Sequence, residues 1–221
     1  MRFLIYALLT FLLFPFVSCN KEDDIIQNDT QVGISKIVYF PTIAIKGERF
    51  IILKQGDTYK DAGATALLNG QPTAFTVATV NTATPGVYEL TYLAANPQGY
   101  TASDWRTVIV IGNDVTANNF SGTYQRAATG VSSKWTKTAN GIYEVDNPGG
   151  AATGVGYKVV VVNFQGNKIK IPKQIASDPT GAPGIVSSTT ETYNAAATPI
   201  SYSWIFLAAG YGTGSRTFAK Q

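Results

Sequence analysis

The chain has 221 residues, of which 45% are hydrophobic, 12% aromatic and 14% charged, with a formal net charge of +3. That length supports a core in one or two domains, and the low charge with ample hydrophobic content excludes a disordered tail or a coiled coil. The absence of histidine excludes Ser-His-Asp and Cys-His nucleophile systems and HExxH zinc sites, and a single cysteine excludes an internal disulfide.

Arg2 precedes an uncharged apolar run from Phe3 to Val17. The run is long enough for a signal-peptide core and short of the ~20 residues that span a bilayer. The lone Cys19 follows at once. Phe16-Val17-Ser18-Cys19 resembles a bacterial lipobox, with Phe16 where Leu is usual. The resemblance implies that residues 1–18 are a lipoprotein signal peptide and that Cys19 becomes an acylated N-terminus carrying chains such as palmitate. Each buried acyl CH₂ contributes about 0.8 kcal/mol, so two or three chains hold a protein durably on a membrane. The alternative is an ordinary secretory signal beside an unrelated thiol. Asn20-Lys21-Glu22-Asp23-Asp24 resembles the export signal of surface lipoproteins in Bacteroidetes-type bacteria, which implies the outer leaflet of the outer membrane; otherwise it is a solvated linker. Residues 19–33 read as the acylated cysteine and a flexible tether.

From residue 34 onward, short alternating apolar runs are separated by Gly, Pro, Asn and Asp, the pattern of an all-β protein. The polar, turn-prone stretch Gly112–Asn119 divides the body into domains at 34–112 and 117–221. In the first, Tyr88, Leu90 and Tyr92 alternate with Val87, Glu89 and Thr91, which predicts a strand with the former set inward. A strand at 106–111 puts Val108 and Val110 against them, and parity then sends Trp105 to the outer face with Thr107 and Ile109. Pro85-Gly86 before Tyr88 predicts a relative of the tyrosine corner. Gly56-Asp57-x-Tyr59-x-Asp61-x-Gly63-Ala64, Asn81-Thr82-x-x-Pro85-Gly86-x-Tyr88-x-x-x-Tyr92 and Arg106-x-Val108-x-Val110 together resemble bacterial immunoglobulin-like domains related to hyalin-type repeats. That resemblance implies a β-sandwich used mostly as a spacer or adhesion unit.

The second domain opens with Asn119-Phe120-Ser121-Gly122-Thr123-Tyr124, similar to the start of small lipocalin-like barrels. Further strands are expected at 134–138, 142–146, 156–164, 168–171, 187–193, 200–207 and 216–219. Val159 to Val162 are continuously apolar, so that strand should be covered on both faces. The expected fold is all-β, an N-terminal Ig-like β-sandwich plus a second antiparallel β-sandwich or small lipocalin-like barrel; the pattern does not choose between the last two. The whole arrangement resembles surface lipoproteins of gut Bacteroidetes.

Candidate sites are few. Glu144 and Asp146 share a strand face but read as a solvated strand end before the turn Asn147-Pro148-Gly149-Gly150. Asp57 and Asp61 lack the dense spacing of a calcium loop, so no metal or cofactor is expected. Gly210-Tyr211-Gly212-Thr213-Gly214 precedes a strand and not a helix, which makes it a hairpin loop rather than a phosphate cradle. Basic residues are scattered, so no nucleic-acid partner is expected. Aromatic side chains are what remains, because sugar rings stack their C–H faces on Trp and Tyr. Tyr202, Trp204 and Phe206 alternate as core residues do, whereas Trp105, Trp135 and Tyr211 are the candidate ligand contacts. The expected function is non-enzymatic: a surface lipoprotein, held in the outer membrane by lipid, that binds polysaccharide for a neighbouring outer-membrane transport complex. The alternative is an adhesion or structural lipoprotein with a protein partner and no small ligand.

Overall fold

A computed structural model describes residues 31–32, 35–153 and 156–221; the signal peptide, Cys19 and most of the tether lie outside the described residues. Strands β1 (Gln31–Val32) and β2 (Ser35–Lys36) pair antiparallel within a unit that ends at Tyr39, and Phe40–Gln221 form a second unit.

Seven strands open the second unit: β3 (Pro41–Ile45), β4 (Phe50–Lys54), β5 (Ala64–Leu68), β6 (Gln71–Pro72), β7 (Phe75–Thr76), β8 (Gly86–Ala95) and β9 (Thr101–Ile111). They form a three-stranded sheet, β3-β5-β6, and a four-stranded sheet, β4-β9-β8-β7, in which β4 runs parallel to β9. The expected parity holds: Leu90, Tyr92 and Val108 are fully buried between the sheets, with Ile43, Ile45, Tyr59 and Phe75 packed on them. The Tyr88 hydroxyl shares its proton between the carbonyls of Asn81 (3.0 Å) and Thr84 (2.8 Å), closing the tyrosine corner.

Three of the motif residues, Asp61, Tyr92 and Arg106, meet in one polar cluster. Arg106, two residues before Val108 on the same face of β9, has 0% exposure. Its guanidinium pairs with the Asp61 carboxylate and donates to the Tyr92 hydroxyl (2.8 Å) and to the carbonyls of Glu48 (2.8 Å) and Lys46. Asp61 also accepts from the Tyr92 hydroxyl (2.6 Å) and from the backbone N–H of Gly63 (3.1 Å). Burial, and then the nearby Tyr59 and Asp104, push the Tyr92 phenol up to about 12, so it stays a neutral donor at physiological pH. The motif is thus the means by which an arginine is carried into the sandwich.

The rest of the chain supplies β10 (Gly122–Arg126), β11 (Ser132–Ala139), β12 (Ile142–Asp146), β13 (Lys158–Gln165), β14 (Lys168–Lys170), β15 (Gln174–Ser177), β16 (Pro183–Asn194), β17 (Ser201–Leu207) and β18 (Arg216–Lys220). These make a nine-stranded antiparallel sheet in the order β14-β13-β12-β11-β10-β18-β17-β16-β15. The two end strands are consecutive in the chain, separated only by Ile171, Pro172 and Lys173. The sheet therefore curls into a half-barrel whose ends meet. Ser188 N–H donates to the Ile171 carbonyl (3.0 Å), and Ile171 N–H donates to Ser188 Oγ (2.8 Å). The Gln174 side-chain amide accepts from Val160 N–H (2.9 Å) and donates to its carbonyl (2.7 Å), in place of a neighbouring strand. Pro172, which has no N–H to place in a ladder, sits where the chain changes partners. The curled sheet answers the open choice between sandwich and barrel.

Side chains fill the interior of this sheet: Tyr124, Trp135, Tyr143, Tyr202, Trp204, Phe206 and Phe218 are all buried there. Their rings lie at packing distance, Trp135 on Trp204 at 5.6 Å and Tyr202 on Phe218 at 4.8 Å, and such pairs contribute roughly 0.5–1.5 kcal/mol beyond their area. The Val159–Val162 run is covered on both faces, as its pattern requires. Val159 and Val161 join this aromatic core, while Val160, Val162 and Phe164 pack outward on Phe50, Val87, Ile109 and Ile111 of the first sheets. Between β9 and β10, a short 3-10 turn (Asn113–Val115) buries Val115 in the same apolar junction.

Asp61→Ala strips a buried guanidinium of its counter-charge. The expected loss is about 3–5 kcal/mol of stability in urea unfolding; a loss below ~1 kcal/mol would mean that water reaches Arg106.

Candidate functional site

The outer face of β9 carries Trp105, Thr107 and Ile109 in succession. Ile109 is buried in the apolar junction, and Thr107 Oγ1 donates to the Lys173 carbonyl (2.7 Å). Trp105 is the residue left at the margin, half-buried. Two cations hold its ring: the Arg49 guanidinium lies 4.8 Å and the Lys173 ammonium 4.7 Å from its centroid. Contacts of this kind contribute roughly 0.5–2 kcal/mol each, depending on desolvation. Arg49 is itself fixed, donating to Asp104 (2.5 Å) and to the Trp105 carbonyl (2.5 Å), and Lys173 pairs with Glu89 (2.7 Å). Burial alone would raise the Asp104 carboxyl. The hydrogen bonds from Arg49, Ile45 N–H and Trp105 N–H, with the Arg49 charge, outweigh it and hold Asp104 below the usual carboxylate range.

Trp105 walls a hollow of about 340 Å³ shared with Glu48, Arg49, Phe50, Gln174 and Ile175. A second hollow of about 330 Å³ adjoins it through Val160, Gln174 and Ile175 and adds Glu144, Lys158 and Ser177. Together they form a groove along the line where the half-barrel closes. Ile175 and Ile185, cross-strand partners on β15 and β16, stand at its edge with 57% and 56% exposure. A further hollow of about 500 Å³ lies among Lys54, Asp57, Asn113, Thr116 and Asn140, and contains none of the aromatic candidates.

The three aromatic candidates do not converge. Trp105 keeps its place on a groove wall. Trp135 does not belong to any surface site: it is 1% exposed and stacked in the half-barrel core. Its polar neighbours Lys134 and Thr136 point to the opposite face of β11, so their polarity marks a half-buried strand and not an exposed ring. A glycine-rich hairpin loop would leave Tyr211 exposed, yet it is half-buried against Tyr157 (5.9 Å) and Phe206 (4.9 Å). Gly149 permits this, since a Cβ there would fall 2.0 Å from the Tyr211 ring. Burial, then Tyr157, raises the Tyr211 phenol, with Arg216 acting the other way. Glu144 and Asp146 both face Lys158, at 3.0 and 3.5 Å, in a solvated ion cluster. Asp57 accepts from Lys54 N–H (2.8 Å) at a turn, and Asp61 is the partner of Arg106. Among the described residues no three of His, Cys, Asp or Glu gather as a metal site. Arg49, Lys173 and Gln174 shape the groove, and each reaches it through a contact far away in the chain.

The tyrosine corner and the Asp61–Tyr92–Arg106 cluster are the features that decide the first two sheets. Residues 43–110 match the family described as bacterial surface protein, Ig-like domain. These sheets are Ig-like. The chain is also similar to the lipoprotein BT2262 from Bacteroides thetaiotaomicron, at 22% identity and a TM-score of 0.35, over 82% of this chain and 100% of that one. No curated protein matches it.

A carboxyl held below its ordinary range contributes stability that is complete above that range, near 4, and is lost as the pH falls through the folded value. Thermal unfolding from about pH 5 downward should therefore cost the wild type roughly 1 kcal/mol more than Asp104→Asn. Parallel curves for the two proteins would mean that Asp104 does not hold the Trp105 corner.

Proposed function

We propose that the protein is a non-catalytic lipoprotein, anchored in the outer membrane through acyl chains on Cys19 and facing the exterior, which captures glycan for a neighbouring uptake system. The observation that carries this reading is the groove beside Trp105. It combines an indole wall with charged and amide groups along its edge, the mixture that sugar rings with apolar faces and hydroxyl rims call for. Arg49 and Lys173 hold the indole in place before any ligand arrives, which lowers the entropic cost of binding. The aromatic interior of the half-barrel leaves recognition to such outer surfaces.

One observation favours the alternative of an adhesion or structural lipoprotein. The exposed Ile175–Ile185 pair adds an apolar rim that suits a protein partner better than a sugar. The two readings separate by mutation. On a glycan array, Trp105→Ala should lose at least tenfold in binding while Ile185→Asp retains it; binding that survives Trp105→Ala removes the groove from the site. In cells fed a clickable palmitate analogue, the wild type should label and Cys19→Ala should not. Unlabelled wild type recovered from the medium would remove the anchor.

A further inference from the structure

The interior of the half-barrel is apolar and aromatic except at one end. There β10 finishes with Arg126, two residues after the inward Tyr124, and β18 begins with Arg216, two residues before the inward Phe218. Cross-strand register confirms the direction of both side chains, since Arg126 lies opposite Phe218 and Arg216 opposite Trp204. Two arginines therefore point into the same mouth. Loop backbone lies directly on them: a Cβ on Gly150, whose φ of 58° is left-handed, would fall 2.5 Å from Arg126 Cδ. The Tyr211 ring lies 5.5 Å from the Arg216 guanidinium.

Their hydrogen bonds are incomplete. Arg126 Nη1 donates to the Gly150 carbonyl (3.1 Å), and Arg216 donates through Nη1 to Gly214 (2.9 Å) and through Nη2 to Tyr211 (3.5 Å). The Nε atoms of both are shut from solvent and have no partner. None of the salt bridges among the described residues includes either arginine. Burial, and then the charge of Arg126, pulls the Arg216 guanidinium below its usual value. Two like charges turned inward with unpaired donors form a costly arrangement unless an anion joins them.

We propose that this mouth binds a single oxyanion, a carboxylate or sulfate group, between Arg126 and Arg216. On Arg126 the Nε–Nη2 edge is the one left for it, and that edge matches two oxygens of a carboxylate or sulfate at once. Because both Nε atoms are shut from solvent, entry of the group requires the loops over them to move; the Tyr211 loop contains Gly210, at a φ of 80°, Gly212 and Gly214. The site stands apart from the Trp105 groove and does not depend on it.

The test measures thermal unfolding of the purified chain with sodium sulfate and, separately, with digalacturonate, balanced with sodium chloride to constant ionic strength. A bound oxyanion raises the wild-type melting temperature by a few degrees at saturation and leaves Arg126→Gln and Arg216→Gln unshifted. Arg126→Lys keeps the charge and loses the fork, and should bind at least tenfold more weakly by calorimetry. It gives the answer if a Gln variant fails to fold. A response to sulfate alone assigns the site to a free ion, and a response to digalacturonate assigns it to an acidic sugar. Equal shifts in the wild type and folded variants, or no shift with either probe, overturn the proposal.

Discussion

Strand β13 is apolar on both faces from Val159 to Val162, and the arrangement of the second unit follows from that. Val159 and Val161 lie in the half-barrel core, while Val160, Val162 and Phe164 point the other way. Consecutive residues of a strand alternate faces, so an unbroken apolar run demands two separate covers. The curled sheet supplies one and the outer face of the Ig-like sheet supplies the other. A slip of one residue in the pairing of β13 with β12 would exchange the two sets and carry Lys158 toward the interior, so the register is firmly specified. Docking through this strand brings β9 beside the chain crossing at Ile171–Gln174. Trp105 therefore stands at a groove and not on an open sheet.

The same crossing shows how the fold handles backbone groups that no strand can reach. A curled sheet with two ends has two unpaired edges, each a liability for association with other chains. Here the edges belong to adjacent segments of chain, and the switch is made at Pro172. Where backbone pairing fails, side chains substitute for it: Ser188 Oγ for Ile171 and the Gln174 amide for Val160. The Ig-like domain solves a different problem by the same means. Arg106 occupies an inward position that its neighbours Val108 and Val110 would predict to be apolar, and it is tolerated because a carboxylate, a phenol and two carbonyls surround it.

Local pattern made much of this architecture legible. The period-two alternation around Tyr88–Tyr92 and Tyr202–Phe206 announced inward faces, Pro85-Gly86-x-Tyr88 announced the corner, and the four valines announced double burial. Features that depend on partners distant in the chain stayed hidden. Strand β15 is four residues long, follows a proline and has little alternation to detect, yet it closes the half-barrel. Trp135 misleads because its neighbours along the strand report on the opposite face; its own side is shared by the buried Ser133 and the half-buried Lys137. Tyr211 misleads because a glycine-rich loop suggests exposure, whereas the glycine that matters is Gly149, on a different loop. The cations around Trp105 belong to β9's neighbours in space, Arg49 and Lys173, which no spacing rule connects to it.

Charge pairing separates the arginines among the described residues into two kinds. Arg49 and Arg106 each have a carboxylate against the guanidinium, Asp104 and Asp61, and the half-buried lysines Lys170 and Lys173 have Glu191 at 3.0 Å and Glu89 at 2.7 Å. These pairs occupy places where the fold itself needs a polar tie, at the sandwich core, the barrel seam and the junction. Arg126 and Arg216 tie loop carbonyls only, with no carboxylate among the described residues. Their strands are already joined by backbone ladders, their inward neighbours are aromatic, and a leucine or methionine at either position would continue the core without a solvation penalty. This pair of cations at one mouth of the half-barrel is tied only to loop carbonyls and the Tyr211 ring, and the oxyanion proposed above would supply the counter-charge that both lack.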